Sequence, residues 1–367
     1  MLSIFLFLAQ VAFSAPAPRF GPIDYGSRVA QAIDTLQATW YNRSSGIWDN
    51  LWWNSANCLT TIAKYHSTNP SSTSLTDILN PIYETSFKGG LAVAQPDMGK
   101  QPGSWLNSLY DDEGWWALAW IQVYDVTGNE DYLSAAQDIF TDMHNGLNRT
   151  SCGGLVWARN TDLLSSIENS LYLDLAAKLA VRVPNHPTYL PAALTQYHWL
   201  TEQTPLLPST NLVPDGLNPS DCTASIPRIL TYNQGALLGA LLSLHHAHPE
   251  NSTTYLSRAL ALANATISHP ELTPAGILTE DCDPVCDTTA AQFKGIFLRH
   301  LAALHRVDPA DDLRAFIRRN ADSVWTRARG DGNKLGSAWA GPFRDAQLSA
   351  MCSGLDALVA AEMVGRE

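Results

Sequence analysis

The chain has 367 residues and a formal net charge of −12, and only 16% of its residues are charged. Such an acidic chain does not suit nucleic acid or anionic membranes, which attract basic surfaces, but it is compatible with a neutral polymer. Its length and its hydrophobic fraction of 46% allow a large core, and no low-complexity linker divides it, so we expect one folded domain.

The first fifteen residues, MLSIFLFLAQVAFSA, form a short apolar run that ends in small residues. Such a run at the N-terminus is typical of a secretory signal peptide, although the usual basic start is missing. No later stretch is long and apolar enough to cross a bilayer, and the C-terminal ALVAAEMVGRE is charged where a lipid-anchor signal is apolar. We therefore expect removal of residues 1–15, a folded domain over 20–367 and a secreted protein without a membrane anchor.

The N-glycosylation sequons and the cysteines are also typical of a secreted protein. Four N-glycosylation sequons begin at Asn42, Asn148, Asn251 and Asn264. The six cysteines are an even number, which indicates disulfides in a secreted chain. We predict a local disulfide between Cys282 and Cys286, because Pro284 favours the turn between them and no second cysteine pair follows at zinc-binding spacing. The pairing of Cys58, Cys152, Cys222 and Cys352 stays open among three possibilities.

Apolar residues recur at spacings of three and four along the chain, which predicts about twelve helices and no convincing strand. The segments are 28–41, 58–66, 74–87, 112–128, 130–147, 161–183, 188–202, 233–248, 252–268, 291–307, 310–328 and 345–364. The even-numbered segments are mostly rich in small residues and apolar all round, which predicts burial, whereas the odd-numbered ones are mostly amphipathic. The second segment is ambiguous and is placed inside by its even position. Six inner and six outer helices predict an all-α fold, an (α/α)6 barrel.

Two adjacent carboxylates stand at the start of the fourth helix, in WLNSLYDDEGWWALAWI over residues 105–121. One hypothesis is a plain helix start, with Asp111 as the N-cap and Asp112 beside the positive end of the helix dipole. The other is sugar cleavage, in which one carboxyl protonates a glycosidic oxygen and the other attacks or stabilises the anomeric carbon. Nearby tryptophans favour sugar cleavage, because flat indole faces cover the C–H faces of sugar rings.

Aromatic and polar residues also mark the entrances of other inner helices, where the loops of such a barrel line a common depression. The predicted substrate-binding residues are Trp52, Trp53, Asn54, Trp115, Asn169, Tyr232, Asn233 and Gln234. Each one alone is equally compatible with a cap or a buried hydrogen bond, but their recurrence at one end favours a binding site. Glu280, Asp281 and Asp287 flank the predicted local disulfide and are expected near the same site.

The segment YDDEGWWALAWIQVYDVTG over residues 110–128 resembles the signature of glycoside hydrolase family 76, the endo-α-1,6-mannanases and their fungal cell-wall relatives. Further similar segments follow in the family's order, at 51–65, 152–157, 167–180, 231–244, 276–304 and 341–361. The resemblance covers essentially all of the expected mature chain. It implies an (α/α)6 barrel and retaining hydrolysis of the α-1,6 linkages of mannan, with Asp111 as nucleophile and Asp112 as acid/base.

Other chemistries have less support. DDEGW lacks the third carboxylate of the metal-binding DDxxD motif, and His245, His246 and His248 lie in the last turn of a helix, where the dipole favours them. We therefore expect no metal and no cofactor. Two alternatives stay open: a cell-wall transglycosidase with the same covalent intermediate, and a non-catalytic mannan-binding wall protein. The oligomeric state is not predicted.

Overall fold

The computed structural model describes residues 24–224 and 228–365, so the predicted signal peptide over residues 1–15 lies outside the described residues. Twelve α-helices form within these ranges and confirm the predicted all-α fold. They are α1 (Tyr25–Thr39), α2 (Trp52–Ser67), α3 (Thr73–Ala92), α4 (Tyr110–Thr127), α5 (Glu130–Asn145), α6 (Ser166–Arg182), α7 (Tyr189–His198), α8 (Thr231–Ala247), α9 (Ser252–Ile267), α10 (Phe293–Val307), α11 (Asp311–Arg327) and α12 (Leu348–Met363). None of the described helices is long and apolar enough to cross a membrane.

The even-numbered helices form a closed inner ring. Each packs on the next, from α2 through α4, α6, α8 and α10 to α12, and α12 returns to α2. Each odd-numbered helix packs outside on an inner neighbour. Nearly every residue of α12 is buried, whereas the buried residues of α5 recur at helical spacing along one face. The predicted (α/α)6 barrel with its alternation of inner and outer helices is therefore confirmed.

Glycines let the inner helices approach each other closely. A Cβ atom at Gly235 of α8 would lie 2.6 Å from the Cα atom of Phe297 on α10. A Cβ atom at Gly295 of α10 would lie 2.7 Å from the Cα atom of Ser353 on α12. Both distances are shorter than van der Waals contact, so the small residues that predicted burial are also required by the spacing of the ring.

Three inner helices, α2, α4 and α8, begin earlier than the sequence pattern predicts. Helix α2 starts at Trp52 rather than at residue 58, so the aromatic entrance segment belongs to its first turn. Helix α4 starts at Tyr110 with Leu109 at the cap position, so Asp111 lies inside the first turn and is not the N-cap. The backbone N–H of Tyr110 donates to the carbonyl of Trp157 at 3.0 Å, which satisfies one free donor at this helix end.

Within the described ranges, four short strands that the sequence pattern did not predict form two antiparallel ladders. Strand β1 (Tyr41–Asn42) pairs with β2 (Ile47–Trp48), and β3 (Leu164–Ser165) pairs with β4 (Gly216–Leu217). Strands of two residues are too short to produce an alternating pattern. The second ladder joins the loop before α6 to the loop before α8.

Three disulfides connect the described cysteines. The predicted bond between Cys282 and Cys286 is confirmed. Cys58 on α2 is bonded to Cys352 on α12, and Cys152 is bonded to Cys222 in another loop. The bond between α2 and α12 covalently closes the ring at the point where its first and last helices meet.

We predict unequal contributions of two of these bonds to stability. Replacing both Cys58 and Cys352 by Ala should lower the free energy of unfolding by about 2–5 kcal/mol, because the bond closes a very long loop of the unfolded chain. Replacing both Cys282 and Cys286 by Ala should cost less, because their ring is short. Urea unfolding of both double variants measures the difference, and equal losses would contradict the prediction.

Candidate active site

A cavity of about 380 Å³ opens at the N-terminal ends of the inner helices. The helices bring their first turns to its wall, and the loops between helices supply the rest. The lining residues are Trp53, Met98, Leu109, Asp111, Asp112, Trp115, Trp157, Leu163, Ser165, Ile167, Asp215, Tyr232, Thr289 and Phe293. The depression predicted from the helix entrances is therefore present, and it contains both adjacent aspartates.

Asp111 is the more accessible of the two carboxyls. Its Oδ2 atom accepts a hydrogen bond from the indole N–H of Trp157 at 3.0 Å, and its Oδ1 atom accepts one from the backbone N–H of Asp112 at 3.0 Å. Burial raises the pKa of Asp111 to about 6, although these two donors oppose the rise. Donors that stabilise the ionised form favour a carboxylate at this position near neutral pH.

Asp112 is 2% exposed. Its Oδ2 atom accepts a hydrogen bond from the side-chain amide of Asn107 at 2.8 Å. Burial raises the pKa of Asp112 well above the ordinary value for Asp, and the neighbouring charge of Asp111 raises it further. Both effects favour the protonated form of Asp112, so a proton shared by the pair is held by Asp112.

Aromatic rings form much of the cavity wall. Trp53 of α2 stacks on Trp115 of α4, with ring centroids 6.2 Å apart. On another side, Tyr232 of α8 stacks on Phe293 with centroids 3.8 Å apart. Trp53, Trp157 and Tyr232 are each partly exposed, so their rings are accessible to a ligand in the cavity.

Trp52 does not line this cavity. It is 4% exposed and packs within an aromatic cluster, where its ring centroid lies 5.6 Å from that of Trp105 and 4.8 Å from that of Trp116. The ammonium of Lys100 lies 4.8 Å from the Trp52 ring centroid. Successive residues of a helix point about 100° apart, which is why Trp53 reaches the cavity while Trp52 packs in the core.

Asn54, Asn169 and Gln234 are buried with protein partners. Asn54 donates to the backbone carbonyl of Thr288 at 3.2 Å. Asn169 pairs with both the N–H and the carbonyl of Leu155 at 2.8 Å, and Gln234 pairs in the same way with Val213 at 2.8 Å. These amides anchor the loops that carry Trp157 and Asp215, so the structure places them behind the cavity wall.

Asn233 reaches the cavity through another residue. Its amide donates to Oδ1 of Asp215 at 2.8 Å, and Asp215 itself lines the cavity. Asp215 lies in the sequence Val-Pro-Asp-Gly, which resembles an ordinary turn, so sequence reasoning gave it no role. Trp157 was also missed, although it ends the CGGLVW segment that carried part of the family resemblance.

The acidic residues around the local disulfide have different environments. Glu280 is buried and accepts hydrogen bonds from the backbone N–H and the hydroxyl of Thr231, and burial raises its pKa to about 7. Asp281 forms an exposed ion pair with Arg228, and Asp287 accepts from the backbone N–H of Ala290 at 2.8 Å. These contacts stabilise the loop around the disulfide between Cys282 and Cys286. The three acidic residues are not part of the cavity lining.

The sequence profile of Glycosyl hydrolase family 76 matches residues 27–366. No protein with a curated function matches the chain. Among solved structures, an inactive variant of the α-1,6-mannanase GH76A of Salegentibacter sp. HEL1_6, in complex with α-1,6-mannotetrose, is similar with a TM-score of 0.80 and 21% identity. The match covers 93% of this chain and 100% of that chain.

Two further structures share this fold. Bt3792 of Bacteroides thetaiotaomicron, described as a family 76 mannosidase, matches with a TM-score of 0.76 and 18% identity, over 93% of this chain and 98% of that chain. Dfg5 of Chaetomium thermophilum in complex with glucosamine matches with a TM-score of 0.75 and 20% identity, over 93% of this chain and 90% of that chain.

The raised pKa of Asp111 predicts a cost to stability. The unfolded chain ionises Asp111 near its ordinary pKa, and the folded chain only near about 6, so stability present at low pH is lost as the pH rises through this window. Asp111→Asn should therefore be more stable than the parent protein at pH 8, by about 2 kcal/mol, and the difference should vanish near pH 3.

Calorimetry at both pH values measures this effect. Asp138→Asn on the exposed face of α5 is the matched control and should show no such trend. A lower stability of Asp111→Asn than of the parent protein at pH 8 would contradict the burial argument.

Proposed function

The chain belongs to glycosyl hydrolase family 76 and is a glycoside hydrolase, and we propose that it cleaves α-1,6-mannosidic linkages of mannan with retention of configuration. The observation that carries the proposal is the buried pair of adjacent aspartates at one cavity, one favouring the ionised form and the other the protonated form. A retaining glycosidase needs these two states on carboxyls about 5–5.5 Å apart. Side chains of neighbouring residues can diverge to that distance from Cα atoms about 3.8 Å apart.

In the first step, the Asp111 carboxylate attacks the anomeric carbon while Asp112 gives its proton to the glycosidic oxygen. The bond between that carbon and oxygen breaks, the shortened chain leaves as an alcohol, and the mannosyl unit becomes an ester of Asp111. In the second step, the Asp112 carboxylate takes a proton from water, whose oxygen attacks the anomeric carbon. The ester bond breaks, the glycosyl part is released with the original configuration at its new reducing end, and both aspartates return to their starting states.

The environment of each aspartate supports this assignment. The Trp157 indole donates to Asp111, and the first turn of α4 places the positive end of the helix dipole beside it. Asp112 is more deeply buried and lies next to that negative charge, so it retains the proton. The reverse assignment would place the ionised nucleophile in the less favourable of the two positions.

The wall of the cavity suits a neutral polysaccharide. Trp53, Trp157 and Tyr232 offer flat faces to sugar rings, and Asp215 offers carboxylate oxygens to hydroxyls. The similar structures that contain α-1,6-mannotetrose and α-1,6-mannotriose support mannan as the polymer. Asn233 keeps Asp215 in place by its hydrogen bond. This contact, and the stacking of Trp115 on Trp53, support a role of Asn233 and Trp115 in the proposed binding site.

Secretion and glycosylation are part of the proposal. The apolar N-terminal run and the three disulfides support an extracellular protein. The four sequon asparagines are all exposed on the surface, which supports their modification. They are Asn42, Asn148, Asn251 and Asn264.

Incubation with linear α-1,6-mannan tests the activity. The parent protein should release shorter α-1,6-mannooligosaccharides, and Asp111→Asn and Asp112→Asn should each reduce turnover by about 10³-fold or more while circular dichroism shows the same helix content. Asp138→Asn is the control and should retain full turnover. A folded aspartate variant with near-parent turnover would reject the assignment, because mere helix-end residues would cost at most about 1 kcal/mol of stability and no activity.

The pH dependence gives an independent test. Turnover needs ionised Asp111 and protonated Asp112, so kcat/KM should follow a bell-shaped curve whose acidic limb lies near pH 6. The basic limb reports Asp112 and should lie above it. A curve without an acidic limb between pH 4 and 7 would remove Asp111 from the role of nucleophile.

A transglycosidase is the second candidate, because the chain is similar to Dfg5, whose structure contains the amino sugar glucosamine. The same ester of Asp111 would then react with a sugar hydroxyl instead of water. Adding excess isotope-labelled mannobiose to the mannan assay distinguishes the two: labelled products longer than mannobiose indicate transfer, whereas shorter unlabelled products with all of the label left in mannobiose indicate hydrolysis. Mannan binding without products would leave a non-catalytic binding protein.

A further inference from the structure

A partly buried polar network leads from the outer helix α5 to the carboxyl of Asp112. It contains Asp142, Arg159, Glu113 and Asn107, and none of these four residues lines the cavity. Each contacts the next by a hydrogen bond or an ion pair, and the last contact is the amide of Asn107 on Asp112. The inference drawn from it rests on the proposed role of Asp112 as acid/base.

Asn107 has little freedom to move. It is 4% exposed, its side-chain oxygen accepts from the backbone N–H of Leu109 at 2.8 Å, and its amide donates to Oδ2 of Asp112 at 2.8 Å. With the oxygen held by a backbone donor, the amide nitrogen is fixed towards Asp112. This orientation presents a donor, and not an acceptor, to the carboxyl.

The backbone of Asn107 is held equally firmly. Its N–H donates to Oε1 of Glu113 at 2.7 Å, and its carbonyl accepts from the guanidinium of Arg159. Glu113 is fully buried, and Arg159 binds both of its oxygens, at 2.8 and 3.3 Å. One ion pair therefore fixes both backbone polar groups of Asn107.

Arg159 is itself anchored on two sides. Its guanidinium lies over the ring of Tyr110 at 4.3 Å from the centroid, and it forms an ion pair with Asp142 of α5. A planar guanidinium with several fixed donors suits such a network, whereas a lysine offers a single flexible ammonium. Ion pairs contribute little to net stability, whether exposed or buried, so stability alone does not explain why this pair lies beside the aspartates.

We propose that Asn107 is a positioning residue for the carboxyl of Asp112 and that the Arg159–Glu113 ion pair holds Asn107 in place. The network sets which Asp112 oxygen accepts from the protein and leaves the other oxygen for the proton that is transferred. Asp112 is then aimed by residues that never contact the substrate.

The inference predicts a direction for the pH dependence. The donor on Asn107 lowers the pKa of Asp112 against the larger effects of burial and of Asp111, so losing this donor should raise that pKa. The other charged groups around Asp112 are Glu113 on α4, Glu168 on α6, Asp142 on α5, and Arg159 and Asp215 on loops. Helix α2 faces the cavity with Trp53, while its Lys64 and His66 lie at the opposite end of that helix.

The first experiment measures kcat and KM of Asn107→Ala on α-1,6-mannan between pH 4 and 10. We expect kcat to fall by about 10²-fold with little change in KM, since the acid is misplaced while the sugar-binding wall is intact. The basic limb of kcat/KM should move to higher pH. A loss of stability alone would reduce the amount of active protein without moving the basic limb of kcat/KM. Reduced activity with an unchanged basic limb would therefore overturn the inference.

Arg159→Lys is the second variant, because it retains the positive charge opposite Glu113 but removes the planar guanidinium that donates to both of its oxygens. It should shift the basic limb in the same direction by a smaller amount. Arg182→Lys is its matched control: Arg182 forms a similar two-point ion pair with Asp125 at the other end of the barrel, and its variant should leave the limb unchanged. Equal shifts in both lysine variants would contradict the inference.

These outcomes separate the inference from the proposed function. If Asp112→Asn retains turnover, the acid/base role fails and this inference fails with it. If Asp112→Asn is inactive but both Asn107→Ala and Arg159→Lys keep the parent's basic limb, only the positioning role fails.

Discussion

The common direction of the six inner helices is the constraint on which the site depends. Because the even-numbered helices run parallel around the ring, their first turns meet at one end, where unpaired backbone N–H groups and the positive ends of the helix dipoles collect. Asp111, Asp112 and Glu168 all lie in first turns at this end. The helix ends favour the ionised forms of these carboxyls, but desolvation outweighs this effect and raises the pKa of all three.

The opposite end of the ring has the complementary charge. A second cavity of about 320 Å³ lies among the C-terminal halves of the inner helices, and its lining includes Lys64, Lys178, Arg182 and Arg299. Cations are favoured beside the negative ends of helix dipoles, so these side chains offset the helix ends and the nearby Asp125 and Asp174. Trp115 borders both cavities. Cations therefore outnumber acids in the lining of this second cavity, whereas the lining of the cavity with the aspartate pair contains three aspartates and neither lysine nor arginine.

Burial raises the pKa of both aspartates, and two loops supply the hydrogen-bond donors that contact them. Desolvation raises the pKa of both carboxyls; the charge of Asp111 raises the pKa of Asp112 further, whereas the donors from Trp157 and Asn107 lower the pKa of the carboxyl that each one contacts. Both donors come from loops, which are usually the least fixed parts of a helical barrel. Here Asn169, the β3–β4 ladder and the disulfide between Cys152 and Cys222 hold the loop of Trp157, and Glu113 and Arg159 hold Asn107. The cavity is therefore prepared for its ligand before binding.

The sequence alone determined the features that depend on local order. Helices that are rich in small residues and apolar all round alternate with amphipathic helices. This alternation predicted the ring, because only helices that are surrounded on all sides are apolar all round. The adjacent pair Asp111 and Asp112 needed no tertiary information to be found, and neither did the short ring of Cys282 and Cys286. Each of these features lies within one helical turn or one loop, or follows a simple period. Such features can therefore be recognised from the order of residues alone.

Only the tertiary structure decided which side chains reach the cavity. Trp52 and Trp53 are neighbours in sequence, yet the rotation of α2 about its axis sends one into the core and the other to the wall. Asp215 and Trp157 arrive on loops whose paths are set by distant anchors, and Cys58 finds Cys352 across 294 residues. The direction in which a side chain points and the path of a loop both depend on packing partners that are far away along the chain. For this physical reason, no local pattern in the sequence predicts them.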